Sequence, residues 1–174
     1  AVTRHAGASP LRLPTMTTSH LDFTVRIAAG RADLADIAAL RAEAYGHHLP
    51  ALATAMTTVD AAATAPGATV LLCRDKSSGR AVGSARIQRN HPQPLAIESS
   101  ITLPEPQASL PRAEITRLAI APGASPLVRP MLVKACYLAA MASQVRLLVI
   151  GARSPALVRL YRGLGFTPLP GTDG

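Results

Sequence analysis

From Ala113 onward, strand and helix signals alternate without interruption, and this alternation restricts the fold more than any other feature. "AEITRLAIAPG", Ala113 to Gly123, reads as a strand: Ile115, Thr116, Leu118 and Ile120 are β-formers, and Pro-Gly stops the run. A helix follows from about Leu127 to Ser143, with Pro130 tolerable only in its first turn. "VRLLVIGA" is an apolar strand. "SPALVRLYRGLG" is a helix with Ser154 as cap, Pro155 at the first helical position and Gly165 at the end, and "FTPLP" reads as a last strand. Parallel strands joined by helices need right-handed crossovers, so a mixed α/β architecture is dictated.

Upstream, "FTVRIA" reads as a first strand and "ADLADIAALRAEAYG" as a helix, capped by Asp33 with Asp36 in the first turn. Its apolar stripe runs through Leu34, Ile37 and Ala38, and the same spacing lands on Arg41 and then Tyr45. Arg41 is therefore either a snorkelling side chain or a buried guanidinium facing an anion. Residues 46–67 have no period, as expected of a binding loop or lid, and Asp60 is their only acid. "ATVLLCR", the turn "DKSSG" and "AVGSARIQR" form a hairpin, with Arg86 on the same face as Val82 and Ser84. The proline-punctuated stretch before Ala113 carries one short strand near Leu95 to Ile97. One domain over residues 23–174 is expected, preceded by a disordered leader, 1–22.

The net charge of +8 calls for an anionic partner or substrate. Aromatic residues make up only 3% of the chain and the cations form no run, which argues against a nucleic-acid stacking platform. An acidic protein or a phosphate-bearing cofactor remains. Cys73 and Cys136 lie in apolar runs without metal spacing, as do buried free thiols in a reducing, cytoplasmic compartment. No metal site is expected, and the histidines, including the pair His47-His48, lack ligand spacing. Ala135 to Ile150 is too short and too charged to span a bilayer.

A strand buried on both faces should be nearly all apolar, yet Glu114 and Arg117 sit inside this one. Separated by an odd number of residues, they would point to opposite faces unless a β-bulge re-aims one. They form either a structural ion pair, with Arg41 or Arg86 as further partners, or part of a site.

The residues also carry a family resemblance. "SPALVRLYRGLGF" resembles the C-terminal motif of the GCN5-related N-acetyltransferase fold, and the order of elements matches that fold over roughly residues 23–170. Within it, "AEITRLAI" resembles the Glu-x-x-Arg signature shared by acyl-homoserine-lactone synthases and N-acyl amino acid synthases. So does the set "LRAEAY", a lone Asp60, "VGSARI" and "PLAIE". The second acid usual in lactone synthases is absent from "AAATAPGA", which favours the N-acyl amino acid synthase group.

The resemblance implies an N-acyltransferase. Glu114 would be the general base on an incoming amine, and Tyr161 either the acid that protonates the leaving thiolate or simply a core aromatic. Arg41, Arg86 and Arg117 would bind the acceptor carboxylate and Asp60 its ammonium. A backbone N–H near Leu118, Ala119 or Ile120 would meet the oxyanion. No permanently bound cofactor is implied. The donor would be acyl-phosphopantetheine on an acidic acyl carrier protein, or acyl-CoA, and the acceptor a small amino acid. The segment "PGASPLVRPML" lacks the paired glycines that cradle the CoA pyrophosphate elsewhere in this fold, which favours the carrier protein; the acyl group expected from the resemblance is a long chain. An acetyl-CoA-dependent N-acetyltransferase and a non-catalytic acyl-ligand or anion-binding module are the alternatives.

Overall fold

The computed structural model describes residues 20–46 and 64–169. Asp60, the histidine pair and nearly all of the leader lie outside them. The described elements are β1 (Phe23–Ile27), α1 (Gly30–Gly46), β2 (Ala68–Asp75), β3 (Ala81–Arg89), β4 (Arg112–Ile120), α2 (Val128–Ala142), β5 (Leu147–Ile150) and α3 (Pro155–Gly163). They build one sheet in the order β1-β2-β3-β4-β5. The first four strands are antiparallel neighbours, and β5 joins β4 in parallel, as a helical crossover demands.

Helices cover both faces. β2 is buried continuously from Val70 to Cys73, because Val70 and Leu72 face α1 while Leu71 and Cys73 face α2. Val128, Leu132 and Cys136 recur at helical spacing along α2 and are fully buried, each leucine-sized side chain contributing about 1.5–3 kcal/mol. Their close approach depends on Gly83. A Cβ there would lie 2.6 Å from Val128 Cγ1 and 2.7 Å from Leu132 Cδ1. Both cysteines are buried free thiols, and burial pushes each pKa up to about 12.

Three local expectations need correction. Helix α1 begins at Gly30, so Asp33 lies in its first turn and reaches back, accepting the Ala29 N–H at 2.7 Å. Arg26 and Arg74 also donate to this carboxylate and hold its pKa far below the ordinary range. The stretch 95–97 is no strand. A 3-10 helix, Ala96–Ser99, forms there instead, because the Glu98 side chain accepts the Leu95 N–H and the Glu114 carboxylate takes that of Ile97. Nor do residues 166–169 form a strand: among the described residues no ladder partner faces them, and Pro168 has no N–H to give. The α3 signals hold, with Ser154 Oγ accepting from the Leu157 N–H at 3.3 Å and Gly165 beyond the helix at φ +94°.

Candidate active site

The central strand β4 is longer than the neighbour it pairs with. Pairing to β5 runs only from Arg112 opposite Leu147 to Ile115 opposite Ile150, and β5 ends there. Thr116 to Ile120 thus border a notch. The other edge of β4 stays zipped to β3, but with an irregularity: Ser84 faces Ala119 while Arg86 faces Thr116. One extra residue on β4 is absorbed where Arg117 adopts φ +54°, a left-handed conformation rarely taken by a non-glycine residue. This is the bulge that the Glu-x-x-Arg spacing required. It swings the Arg117 guanidinium to the α1 side, the side of Glu114, where it lies within electrostatic range of Arg41 and Tyr45.

The bulge also sorts the backbone groups at the notch. Antiparallel pairs alternate between those that exchange hydrogen bonds and those that do not. Ala121 donates to the Val82 carbonyl at 2.9 Å, so Ala119 turns its bonds toward Ser84 in the same way. Leu118 and Ile120 turn theirs toward the notch. Leu118, Ala119 and Ile120, the three residues expected to supply an oxyanion donor, all lie on the part of β4 beyond its pairing with β5, with Ala119 opposite Ser84 of β3. The Leu118 carbonyl accepts a hydrogen bond from the Tyr45 hydroxyl at 3.2 Å.

Beneath α1 lies a buried charged group. Glu114 is 6% exposed, accepts the Ile97 N–H at 3.1 Å, and has its pKa raised, chiefly by burial. Arg86, on the neighbouring strand, donates to Gln88. Arg41 is 3% exposed, which decides for a buried guanidinium over a snorkelling one. Its Nε and Nη2 have no hydrogen-bond partner among the described residues, and burial, reinforced by Arg117 and Arg86, lowers its pKa to about 10. Such a group calls for an anion. Ser84 Oγ and Thr116 Oγ1, on the same face, are also buried without partners among the described residues.

On the other side of β5, a cavity of about 1070 Å³ runs between α2 and α3. Apolar side chains dominate its wall, among them Ile97, Ile101, Val133, Val149 and Phe166, with Lys134 and Arg162 as its cations. Tyr161 lines it too, is 7% exposed, and meets Phe166 in a tilted ring contact with centroids 6.1 Å apart. Burial raises its pKa, and Tyr45 lies close enough to contribute.

The structure therefore gathers Arg41, Arg86, Glu114 and Arg117 under α1, with the Leu118 amide at the bulge and Tyr161 in the cavity. Sequence reasoning assigned no role to Tyr45, although it falls one helical turn beyond Arg41 on the stripe. The cavity could not be anticipated, because its wall comes from segments scattered between Ile97 and Leu169. Among the described residues, no group of His, Cys, Asp and Glu side chains could hold a metal ion, and no helix is long and apolar enough to cross a membrane.

Comparisons with known proteins agree with this geometry. No curated protein matches the chain. Among solved structures, N-acyl amino acid synthase FeeM from uncultured soil microbes superposes with TM-score 0.64 at 18% identity, covering 84% of this chain and 80% of that one. The aminoglycoside N-acetyltransferase AAC(6')-Iy, in complex with a CoA bisubstrate analogue, gives TM-score 0.62 at 16% identity over 87% of this chain and 93% of that one. A Trypanosoma brucei acetyltransferase gives 0.58 at 15% identity, covering 84% and 94%. The fold is thus that of the GCN5-related N-acetyltransferases. The family model described as "N-acyl amino acid synthase FeeM" matches residues 36–173, most of the chain, and the protein is accordingly an acyltransferase belonging to the FeeM N-acyl amino acid synthase family.

Proposed function

We propose that the protein transfers a long acyl chain from an acyl carrier protein to the α-amine of an amino acid, in a reducing, cytoplasmic compartment. The observation that carries this reading is the half-paired β4: an unfilled strand edge, with the amide of Leu118 at a bulge, beside a large apolar cavity. A phosphopantetheine arm contains two amides and can extend along such an edge. The cavity wall suits an alkyl chain.

The loop before α2 supports a carrier-borne donor over free acyl-CoA. Pro122, Pro126 and Pro130 have no N–H to offer a pyrophosphate. The N–H groups of Ala124 and Val128 bond to Ala121 and Ser125 carbonyls, and that of Leu127 to Ser125 Oγ. A small polar pocket against Pro122–Ser125 is lined by Asp22, Glu43 and Asp75, with Arg80 the single cation among its described residues, so its field disfavours phosphate. By contrast, residues 121–169 contain six cations and no acid, a charge bias that suits an acidic carrier. Acetyl transfer from CoA is the second reading, favoured by the fold shared with CoA-binding acetyltransferases.

In this mechanism the acceptor carboxylate is held by Arg41, Arg86 and Arg117, with Asp60 near its ammonium. Glu114 takes one proton from the ammonium through a water. The freed amine attacks the thioester carbonyl, forming the C–N bond and an oxyanion met by the Leu118 N–H. Collapse breaks the C–S bond. Tyr161 protonates the thiolate and is reprotonated by the second amine proton, leaving an amide and a thiol.

The test is incubation with acyl carrier proteins of several chain lengths and a pool of amino acids, followed by mass spectrometry. An N-acyl amino acid is expected, with acyl-CoA of the same chain a poor substitute. Equal turnover of acyl-CoA decides for the second reading, and absence of any amide rejects both.

A further inference from the structure

We infer that Tyr45 is a positioning residue for the oxyanion site, acting by capping the Leu118 carbonyl. The inference rests on the thioester reading above.

At the bulge the Leu118 carbonyl is turned away from β3 and accepts from Tyr45, and β5 has already ended; the oxyanion reading places the Leu118 N–H at the same notch. The two groups act oppositely on a developing oxyanion. The N–H stabilises it, while the carbonyl's lone pairs repel it. An acceptor left facing the reacting carbon would offset much of what the donor contributes in a low-dielectric cleft. The Tyr45 hydroxyl donates to that carbonyl at 3.2 Å from the last turn of α1. It neutralises the unwanted acceptor at Leu118 and fixes the Leu118–Ala119 peptide plane. The left-handed Arg117 immediately before it shows why a clamp is needed: a side-chain-bearing residue in that conformation costs energy and must be held by its surroundings. Burial raises the phenol pKa above its ordinary value, so Tyr45 stays a donor at the pH values where the amine can react.

This arrangement could not be supplied by phenylalanine, which fills the same space without a donor. Tyr45→Phe should melt at the wild-type temperature. It should lower kcat roughly 10- to 100-fold, less than losing a direct oxyanion donor, with KM for the acyl carrier protein changed less than about twofold. An independent readout needs no turnover: isotope-edited infrared spectroscopy of S-octanoyl-phosphopantetheine with a labelled carbonyl, bound without acceptor. The wild type should shift the carbonyl stretch to lower frequency, and Tyr45→Phe should bind the probe equally but lose most of the shift. An equal shift in both proteins, or an unchanged kcat, overturns the role of Tyr45 while leaving the acyltransferase reading intact. Binding to the wild type with no shift overturns the Leu118 donor and this inference with it. No binding of the probe rejects the thioester reading itself.

Discussion

Glu114 illustrates how one carboxylate is made into a base. Burial raises its pKa, two backbone N–H groups and the charge of Arg86 pull it back, and the net direction is upward. A raised acid pKa means that the folded state binds the proton more tightly than the unfolded chain. Its stabilising contribution is therefore fully present below the ordinary glutamate value and is lost as pH rises through the raised folded value. Glu114→Gln should consequently not lower the melting temperature at neutral pH, and its advantage over wild type should grow as pH rises through that range. Catalysis runs the other way, since a base works only when ionised. The wild-type rate should climb with pH through the same raised pKa. The glutamine variant should lose that limb and roughly 10²- to 10⁴-fold in kcat. Stopped assays across pH, beside thermal melts, check both. A variant with wild-type activity would remove Glu114 from the chemistry.

Strand β4 and its neighbours carry the geometry that makes such chemistry possible. The Glu-x-x-Arg spacing in an otherwise apolar strand already demanded a bulge, since period-two alternation cannot put both side chains on one face. It was legible because it is a local contradiction. The end of β5 at Ile150 was not, because "VRLLVIGA" has strand propensity along its whole length and only the ladder with β4 decides where pairing stops. The 3-10 helix over Ala96–Ser99 escaped for a similar reason: the Glu114 carboxylate that takes the Ile97 N–H lies 17 residues away in sequence. The glycine in "AVGSARI" has a checkable role in the same sheet. Gly83→Ala would drive a methyl into Val128 and Leu132 of α2, so a loss of about 1–3 kcal/mol is expected in denaturant unfolding. A variant as stable as wild type would show that α2 can shift outward freely.

Across the whole molecule, charge is divided along the chain. Every acid but Asp173 precedes residue 121, while Arg129, Lys134, Arg146, Arg153, Arg159 and Arg162 lie beyond it. Two of these cations, Lys134 and Arg162, line the cavity. The double variant Lys134→Glu, Arg162→Glu should raise KM for an acyl carrier protein several-fold and weaken its salt dependence, while free acyl-phosphopantetheine is turned over as before. Equal effects on both donors would mean that these cations serve the cavity and not an encounter surface. By itself the sequence determined the order of elements, the α3 cap at Ser154, the parallel pairing of β4 with β5, the basic character, and the types of side chain available for acyl transfer. All of these follow from near-neighbour preferences, periodicity and composition, which act over a few residues or none. Tertiary structure alone decided that Arg41 is buried with its Nε and Nη2 unpartnered among the described residues, that Tyr45 reaches the Leu118 carbonyl, and that an apolar cavity opens beside β5. Each depends on how distant segments meet, and a contact between elements has no signature in either element's own sequence.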